Sequence, residues 1–284
     1  MSYHLTSSSY GKSKVRLTKV VRKTPVHELF EFDVAVELSG DFQPAYTHGN
    51  NQNVIATDTI KNTVYVLAKE NDFDSAEEFA MILVNHFIKT YQQVTFAQVT
   101  ITQPSWQRIT IDGKPHDHAF TNAGTQLRYV KATQKCSDAS CALFGGVRDM
   151  LVLKTTASEW ADFHADRYRT LKDTHDRILS TRIDADWLYG WHQINFDVTR
   201  EKIINAILQT FATHHSLGVQ QTLLVMGEAV LEACHAIDWI SFEMPNMHRI
   251  PFNLEPFGLK FENDIFVATD EPHGVIKGTV SRTK

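Results

Sequence analysis

The protein has 284 residues, of which 43% are hydrophobic and 21% are charged, so it can bury a large core and is not predominantly disordered. It carries 28 lysine and arginine residues against 33 acidic residues, which gives a formal net charge of −5 at pH 7. This balance excludes a general nucleic-acid binder, whose surface would show a clustered basic excess.

Targeting signals and disulfides are not evident in the sequence. Its apolar stretches fall far short of the ~20 consecutive residues that a membrane helix needs. The polar residues 1–10 do not resemble a secretory signal, and the C-terminal residues do not form the Ser-Lys-Leu peroxisomal address. Cys136, Cys141 and Cys234 are too few for a disulfide framework. We therefore expect free thiols and a cytoplasmic protein.

Two antiparallel strands are predicted near the start of the chain. Apolar and polar residues alternate over residues 15–19 and again over residues 30–38. A period of two with charges on one face is typical of strands that have one packed face and one wet face. Lys23-Thr24-Pro25 provides a turn between the two strands.

An amphipathic helix is predicted to follow these strands. Ser75 and Glu78 have the spacing of a capping box, and apolar residues then recur at helical spacing as far as Phe87. Strand patterns return at residues 94–101 and 107–111, followed by Asp112-Gly113 as a hairpin turn. These elements form a strand-strand-helix-strand-strand group that closes near residue 120.

The same order of elements is predicted to recur in the rest of the chain. The predicted strands and helices of this second group occupy residues 127–133, 142–154, 203–211, 223–231, 238–243 and 264–268, with a strand-like tail at 274–280. Such a duplication indicates an α+β fold in which helices cover one face of an antiparallel sheet. The uncovered polar face would line a tunnel in an oligomer or contact a partner.

Six short motifs occur in the order in which one protein family carries them. They are Tyr10-Gly11-Lys12, residues 54–63, residues 111–116, residues 171–181, Gly218-Val219-Gln220 and Pro245-Asn246-Met247-His248. On these motifs the chain closely resembles the urate oxidase (uricase) family from about residue 10 to residue 282. Each motif alone is weak, whereas six in order are specific.

The resemblance implies both an architecture and a reaction. The family has a tunnelling fold (T-fold) with two tandem units, here residues 1–135 and 136–284, and four subunits around an axial tunnel with active sites at subunit interfaces. Its enzymes oxidise urate with dioxygen and water to 5-hydroxyisourate and hydrogen peroxide in purine catabolism. They use neither metal nor organic cofactor, so protein side chains must bind the urate anion and remove its proton.

The resemblance assigns substrate binding to seven positions. Arg177 provides a planar guanidinium that suits bidentate acceptors, and Gln220 provides an amide that both donates and accepts. Trp160 stands where the family has a stacking phenylalanine, and Phe163 is a competing candidate three residues later. The other positions expected to contact the purine, dioxygen or water are Thr57, Asp58, Val219 and Asn246.

Three residues are assigned by the resemblance to proton transfer. Lys12 would act as the base through the hydroxyl of Thr57, which requires a lysine pKa far below the usual value of about 10.4. His248 would return protons and orient the relay, because imidazole titrates near neutrality. Without the resemblance, these residues would be interpreted as solvated side chains, and Arg177 as a surface residue in a helical context over residues 174–179.

Two alternative functions stay open at this point. His116 and His118 alternate on a predicted strand, as do the zinc-binding histidines of related tunnelling-fold cyclases and synthases of pterin metabolism. No third ligand is evident, so we interpret both as structural or tunnel-lining. A non-catalytic purine-binding member of the fold is the other alternative. The remaining histidines considered, His164, His214 and His215, are predicted to be solvated helix positions.

Overall fold

A computed structural model describes residues 3–190 and 193–283. The chain divides into two compact units, Met1–Gly146 and Val147–Lys284. The predicted tandem units divide the chain somewhat earlier, between residues 135 and 136, and their equivalence stays a prediction. Within the described ranges, none of the helices has the length and hydrophobicity needed to cross a membrane.

The first unit is an antiparallel sheet with helices packed on it. Its elements are β1 (Tyr10–Val21), β2 (Glu28–Gly40), α1 (Gln43–His48), α2 (Thr57–Glu70), α3 (Ala76–Thr90), β3 (Val94–Ile111) and β4 (Lys114–Lys135). The strands lie in the order β1-β2-β3-β4. Helix α3 packs on β3 and β4, and α2 packs on β1. The predicted alternation is confirmed at Val15 and Leu17 of β1, which are buried between exposed neighbours, and at every second residue from Phe30 to Leu38 of β2.

The start of α3 follows the predicted capping pattern. The Ser75 side chain accepts a hydrogen bond from the Glu78 N–H at 3.2 Å, which satisfies one of the free donors at the helix start. The Glu78 carboxylate in turn accepts from the Asp74 N–H at 2.7 Å. In the core beneath, the rings of Phe73 and Phe79 stack with centroids 4.6 Å apart. Burying one such side chain contributes roughly 1.5–3 kcal/mol.

Three features of the first unit differ from the sequence predictions. Residues 94–101 and 107–111 form the single strand β3, because register shifts beside Pro104 and Arg108 carry the pairing through the break in the pattern. Residues 127–133, assigned above to the second group, lie in β4 and pair with β3. Helix α2 was missed, since its threonines and β-branched residues favour helix only weakly. The hairpin turn at Asp112-Gly113 is confirmed, with φ angles of 49° and 77°.

The second unit repeats the combination of sheet and helices. Its elements are β5 (Ala142–Lys154), which begins at the end of the first unit, β6 (Leu179–Tyr189), α4 (Phe196–Thr213), α5 (Val219–Ala233), β7 (Ile237–Pro245), β8 (Arg249–Pro251), β9 (Phe266–Ala268) and β10 (Val275–Ser281). The strands of its sheet lie in the order β5-β6-β7-β10, with β7 antiparallel to both neighbours. Helix α5 packs on β7 and β10, and also on α4.

The predicted helices and most of the predicted strands of this unit are present, with two corrections. The strand predicted at residues 264–268 is β9, which pairs with β8 in a separate ribbon, and the tail supplies the fourth strand, β10. Residues 174–178 are not helical but irregular, with an isolated bridge at Thr174 and a bend after it, and they lead into β6, which was not predicted. Close packing explains the position of β10, since a Cβ on Gly278 would lie 2.9 Å from Leu223 of α5.

Candidate active site

A cavity of about 510 Å³ in the second unit contains most of the predicted binding residues. The predicted residues that line it are Trp160, Arg177, Val219, Gln220, Asn246 and His248. They come from the irregular segments at 157–160 and 174–178, the start of α5 and the turn after β7. Residues that are up to 88 positions apart in the chain, Trp160 and His248, therefore meet at one site.

The segments 157–160 and 174–178 are joined by backbone hydrogen bonds. The N–H of Trp160 donates to the carbonyl of Thr174 at 2.8 Å, and the N–H of Thr174 donates back at 2.9 Å. The N–H of Arg177 donates to the carbonyl of Ser158 at 2.9 Å. The reciprocal bonds of Trp160 and Thr174, together with the single bond of Arg177, hold the backbones that carry the indole and the guanidinium next to each other.

Arg177 is a half-buried cation without an acidic partner among the described residues. Its Nε donates to the carbonyl of Glu159 at 3.3 Å. Burial lowers the pKa of this guanidinium from its ordinary value. A charge that is withdrawn from water is costly until it is paired. An anionic ligand beside Arg177 would therefore stabilise this guanidinium.

The start of α5 adds further hydrogen-bond donors to the cavity. The N-cap residue Gly218 has no side chain that could occupy the first N–H groups, and no acidic residue lies in the first turn. The amides at Val219 and Gln220 are therefore available to a ligand, and the helix dipole favours a negative one. A Cβ on Gly218 would lie 3.0 Å from the Trp160 ring, so glycine allows the indole to pack against the helix start.

Trp160, rather than Phe163, lines the cavity. The two rings stack with centroids 5.5 Å apart and an angle of 14° between their planes. Phe163 does not belong to the described lining residues. The Phe163 ring makes a cation–π contact with Arg169, whose guanidinium lies 4.0 Å from the ring centroid. The phenyl ring thus supports the indole from behind and leaves the indole to meet a ligand.

Asn246 and His248 form the polar corner of the cavity. The amide Nδ2 of Asn246 lies 3.5 Å from Nδ1 of His248. The N–H of Asn246 donates to the carbonyl of Gly274 at 2.8 Å. The Arg249 guanidinium donates to the carbonyl of His248 at 3.0 Å. The backbone at this corner is therefore held on both sides, and the two side chains can contact a small polar molecule.

Lys12, the predicted base, belongs to the first unit. It lies on β1 next to Gly11, where the strands approach so closely that a Cβ on Gly11 would meet the Val36 carbonyl oxygen at 1.8 Å. It lines a groove of about 390 Å³ along β1. The Tyr10 hydroxyl donates to the carbonyl of Ile55 at 3.1 Å and accepts from its N–H at 2.8 Å. This pair of bonds ties β1 to the segment just before α2.

Thr57 and Asp58 are exposed at the start of α2. The Asp58 carboxylate accepts hydrogen bonds from Lys61 and, at 3.0 Å, from Asn62. The Lys61 hydrogen bond is the main cause that lowers the pKa of Asp58, and the charge of Lys12 adds to it. Lys12 is therefore close enough to the start of α2 to act on it. The Asp58 carboxylate is hydrogen-bonded to residues of its own helix. The backbone of Asp58, rather than its side chain, is therefore the part available to a ligand.

The histidines outside the cavity agree with the predictions only in part. His116 and His118 do lie together on β4, with ring centroids 4.6 Å apart. Over the described ranges, no three histidine, cysteine or acidic residues are grouped as metal ligands. His164, His214 and His215 lie outside helices, contrary to prediction, because α4 ends at Thr213.

One residue beside the cavity was overlooked by the sequence reasoning. The carboxylate of Glu159 lies 2.6 Å from Nε2 of His215 and 3.0 Å from Nδ1 of His175. The three residues are far apart in the sequence, and no spacing signal could have joined them.

The fold and the cavity together define the class of protein. An unpaired guanidinium, an exposed amide, an indole and a free helix start lie together in an α+β chain, and their chemistry complements that of a small flat anion. The sequence matches the Uricase family over residues 8–133 and 143–277. The chain therefore belongs to the uricase family.

Individual relatives agree with this membership. The uricase of Arthrobacter globiformis is 40% identical, over 98% of this chain and 90% of its own length. The uricase of Dictyostelium discoideum is 33% identical over 98% of both chains. The crystal structure of the Arthrobacter globiformis uricase superposes with a TM-score of 0.94 at 39% identity, covering 99% of this chain and 96% of that one. A uricase structure from Bacillus fastidious shares the fold at 18% identity, with a TM-score of 0.84.

The unpaired charge of Arg177 has a measurable consequence for stability. Arg177→Met should leave the free energy of unfolding within about 1 kcal/mol of the unaltered protein or raise it, because it removes a costly charge and only one long hydrogen bond. Urea unfolding of both proteins without ligand measures this. Arg167→Met, an exposed arginine of the same loop, is the control. A loss of several kcal/mol confined to Arg177→Met would show that the guanidinium is needed for folding.

Proposed function

We propose that this protein is a urate oxidase, an oxidoreductase that converts urate, dioxygen and water to 5-hydroxyisourate and hydrogen peroxide. The observation that carries the proposal is the unpaired guanidinium of Arg177, flanked in one cavity by Trp160 and Gln220. Urate is flat, anionic and rich in acceptors and donors, and these side chains complement each of those properties. Membership of the uricase family supports the same reaction.

In this proposal the cavity binds the purine from two edges and one face. Arg177 donates two parallel hydrogen bonds to acceptors on one edge, and the Gln220 amide pairs with the other edge. The backbone N–H of Val219 donates to the same ring system from the start of α5. Trp160 stacks on the ring face, with a larger aromatic surface than phenylalanine offers.

The first chemical step is removal of a second proton from the bound urate anion. The proton passes to the Thr57 hydroxyl, which gives its own proton to the amine of Lys12 acting as the base. The resulting dianion is electron-rich enough to transfer one electron to dioxygen, which ordinary closed-shell molecules reduce only slowly. The two radicals then combine by forming a carbon–oxygen bond. When this bond breaks, peroxide leaves with both bonding electrons, so that the second electron has also passed to dioxygen.

The oxidised purine is then hydroxylated by water. Water adds at the carbon that the reaction oxidises, and its oxygen becomes the hydroxyl of 5-hydroxyisourate. The two electrons and two protons that leave urate and water end on dioxygen as hydrogen peroxide. Asn246 holds dioxygen and later the attacking water beside the ring, together with Thr57. His248, 3.5 Å from the Asn246 amide, supplies and recovers the protons.

The assembly proposed for this chemistry is a homotetramer of subunits that each contain two tandem tunnelling-fold units. The residues proposed to bind the purine, here called the clamp, lie in the second unit and are Trp160, Arg177, Val219 and Gln220. Lys12, Thr57 and Asp58 lie in the first unit. An active site at a subunit interface would combine the clamp of one subunit with the base of another, and in a symmetric oligomer every interface repeats this pairing. The wet, charged sheet faces would line the tunnel.

The proposal is tested by adding urate to the purified protein in aerated buffer. Urate absorbance should fall while hydrogen peroxide accumulates and dioxygen is consumed in equal amounts. A chelator should leave the rate unchanged. Stoichiometric zinc together with loss of activity on chelation would favour the pterin-type alternative, and purine binding without turnover would favour a non-catalytic member.

The separate roles of base and clamp predict how Lys12→Met behaves. This variant should lower kcat by at least about 100-fold, the usual size of a general-base contribution, because its side chain cannot accept a proton. Xanthine is a purine that lacks the oxygen atom that urate carries on the five-membered ring. The dissociation constant of xanthine should stay within about twofold, since Arg177 and Gln220 are intact. Lys14→Met is the control, because Lys14 is exposed and pairs with Asp33. Equal losses of turnover and xanthine binding would contradict the division of roles.

A shared site also predicts complementation between two inactive variants. Lys12→Met and Arg177→Met chains, unfolded together and reassembled in equal amounts, should recover about a quarter of the unaltered activity, because random pairing gives that share of sites with both residues. Each variant reassembled alone is the control. Absence of recovery in mixed tetramers of confirmed composition would mean that each site is built by one subunit.

A further inference from the structure

A carboxylate beside the cavity bridges two histidines from separate segments. Glu159 Oε2 lies 3.0 Å from Nδ1 of His175, and Glu159 Oε1 lies 2.6 Å from Nε2 of His215. The Glu159 side chain is 24% exposed, whereas those of His175 and His215 are 74% and 54% exposed. The carboxylate is thus partly covered, and both of its oxygens are used.

Each member of this bridge is close in sequence to a residue of the clamp. Glu159 precedes Trp160 directly, and His175 is two residues before Arg177. His215 lies in the short loop that leads from α4 to the start of α5. The backbone of Glu159 also takes part, because its N–H donates to Ser216 at 2.7 Å and its carbonyl accepts from Arg177 Nε at 3.3 Å.

We infer that Glu159 is a positioning residue for the proposed urate site. Through His175 and His215 its carboxylate holds the segments that carry the indole, the guanidinium and the helix start at one spacing. A purine clamped from several sides is sensitive to such spacing, because small displacements of binding groups weaken every contact at once. The inference rests on the proposed function and adds to it a residue that does not touch the substrate.

The charges around the bridge decide the pH range in which it holds. The hydrogen bond from His175 is the main cause that lowers the pKa of Glu159, followed by that from His215. The hydrogen bond to Glu159 is likewise the main cause that raises the pKa of His175, to which the charges of Asp162 and Asp173 add. The other charged or titratable groups around the bridge are Lys154, Asp176, Arg177 and His214.

The signs of these shifts agree. Because the pKa of Glu159 is lowered, the bridge contributes stability at pH values above the ordinary pKa of a glutamate carboxyl. Because the pKa of His175 is raised, the bridge contributes stability at pH values below the pKa of His175. At mildly acidic pH the Glu159 carboxylate and the His175 imidazolium are therefore both charged. It weakens as the pH rises through the raised pKa of His175.

The backbone ladder of these segments remains when the carboxylate is replaced. Glu159→Gln keeps the N–H and carbonyl bonds and the size of the side chain, but removes the charge that both imidazoles share. We expect KM for urate to rise about 5- to 20-fold with kcat within about twofold, since the base and the reacting ring are unaffected once urate is bound. Glu228→Gln, an exposed residue of α5, is the matched control and should change neither constant.

The pH profile supplies a readout that a merely structural role would not move. In the unaltered protein KM should increase as the pH rises through the titration of His175. In Glu159→Gln and in His175→Gln this increase should be absent, whereas His235→Gln, at another exposed histidine, should keep it. If Glu159→Gln does not fold, His175→Gln carries the test alone.

The outcomes separate this inference from the proposed function. Failure of the unaltered protein to oxidise urate would overturn the function itself. Normal oxidation, with KM and its pH profile unchanged in the Glu159 and His175 variants, would overturn only the positioning role. A fall in kcat at constant KM would assign Glu159 to the chemistry instead and would equally contradict the inference.

Discussion

The half-buried, unpaired guanidinium of Arg177 is the constraint on which the functional part of the structure depends. A cation in this position is costly without an anion, so the surrounding chain must hold it by other means. It does so with backbone hydrogen bonds between the segments 157–160 and 174–178 and with an aromatic ring beside them. In the proposed complex, pairing with the urate anion would offset the desolvation cost of the guanidinium and so contribute to affinity.

The start of α5, which lines the same cavity as Arg177, likewise has no acidic residue in its first turn. The start of α5 keeps free N–H groups because glycine, and not serine or aspartate, stands at the N-cap. Glu159 is a potential partner for the guanidinium, but its carboxylate is engaged by His175 and His215. Asp176 also lines the cavity, and its carboxylate accepts a hydrogen bond from Thr156 at 2.8 Å. Among the described residues, neither Glu159 nor Asp176 forms an ion pair with Arg177, which leaves the guanidinium available to the proposed substrate anion.

The two units contribute different chemistry to the proposed reaction. The second provides recognition, and the first provides a lysine and a hydroxyl at the start of α2, positioned through the tie between Tyr10 and Ile55. Neither set could carry out urate oxidation alone, because recognition without a base leaves urate unreactive towards dioxygen. Assembly of subunits would then be part of catalysis rather than only of stability.

The sequence predicted features that depend on near neighbours. The alternation of β1 and β2, the Ser75 cap of α3 and the Asp112-Gly113 turn arise from contacts within a few residues, and all are confirmed. The motifs also led to the family and, by resemblance, to the residues of the cavity. Helix α2 was missed because its threonines and β-branched residues favour helix only weakly. Strand β6 was missed although apolar and polar residues alternate over residues 182–187, a pattern that is typical of a strand.

Only the tertiary structure could decide which strands pair and which side chains meet across the chain. β9 and β10 are both short strand-like segments, and packing against α5 rather than composition puts β10 on the main sheet. Likewise, the choice of Trp160 over Phe163 and the Glu159 bridge depend on which segments lie side by side. By itself, then, the sequence determined local elements and family, while the geometry of the clamp required the fold, because long-range contacts leave no periodic signal in a single chain.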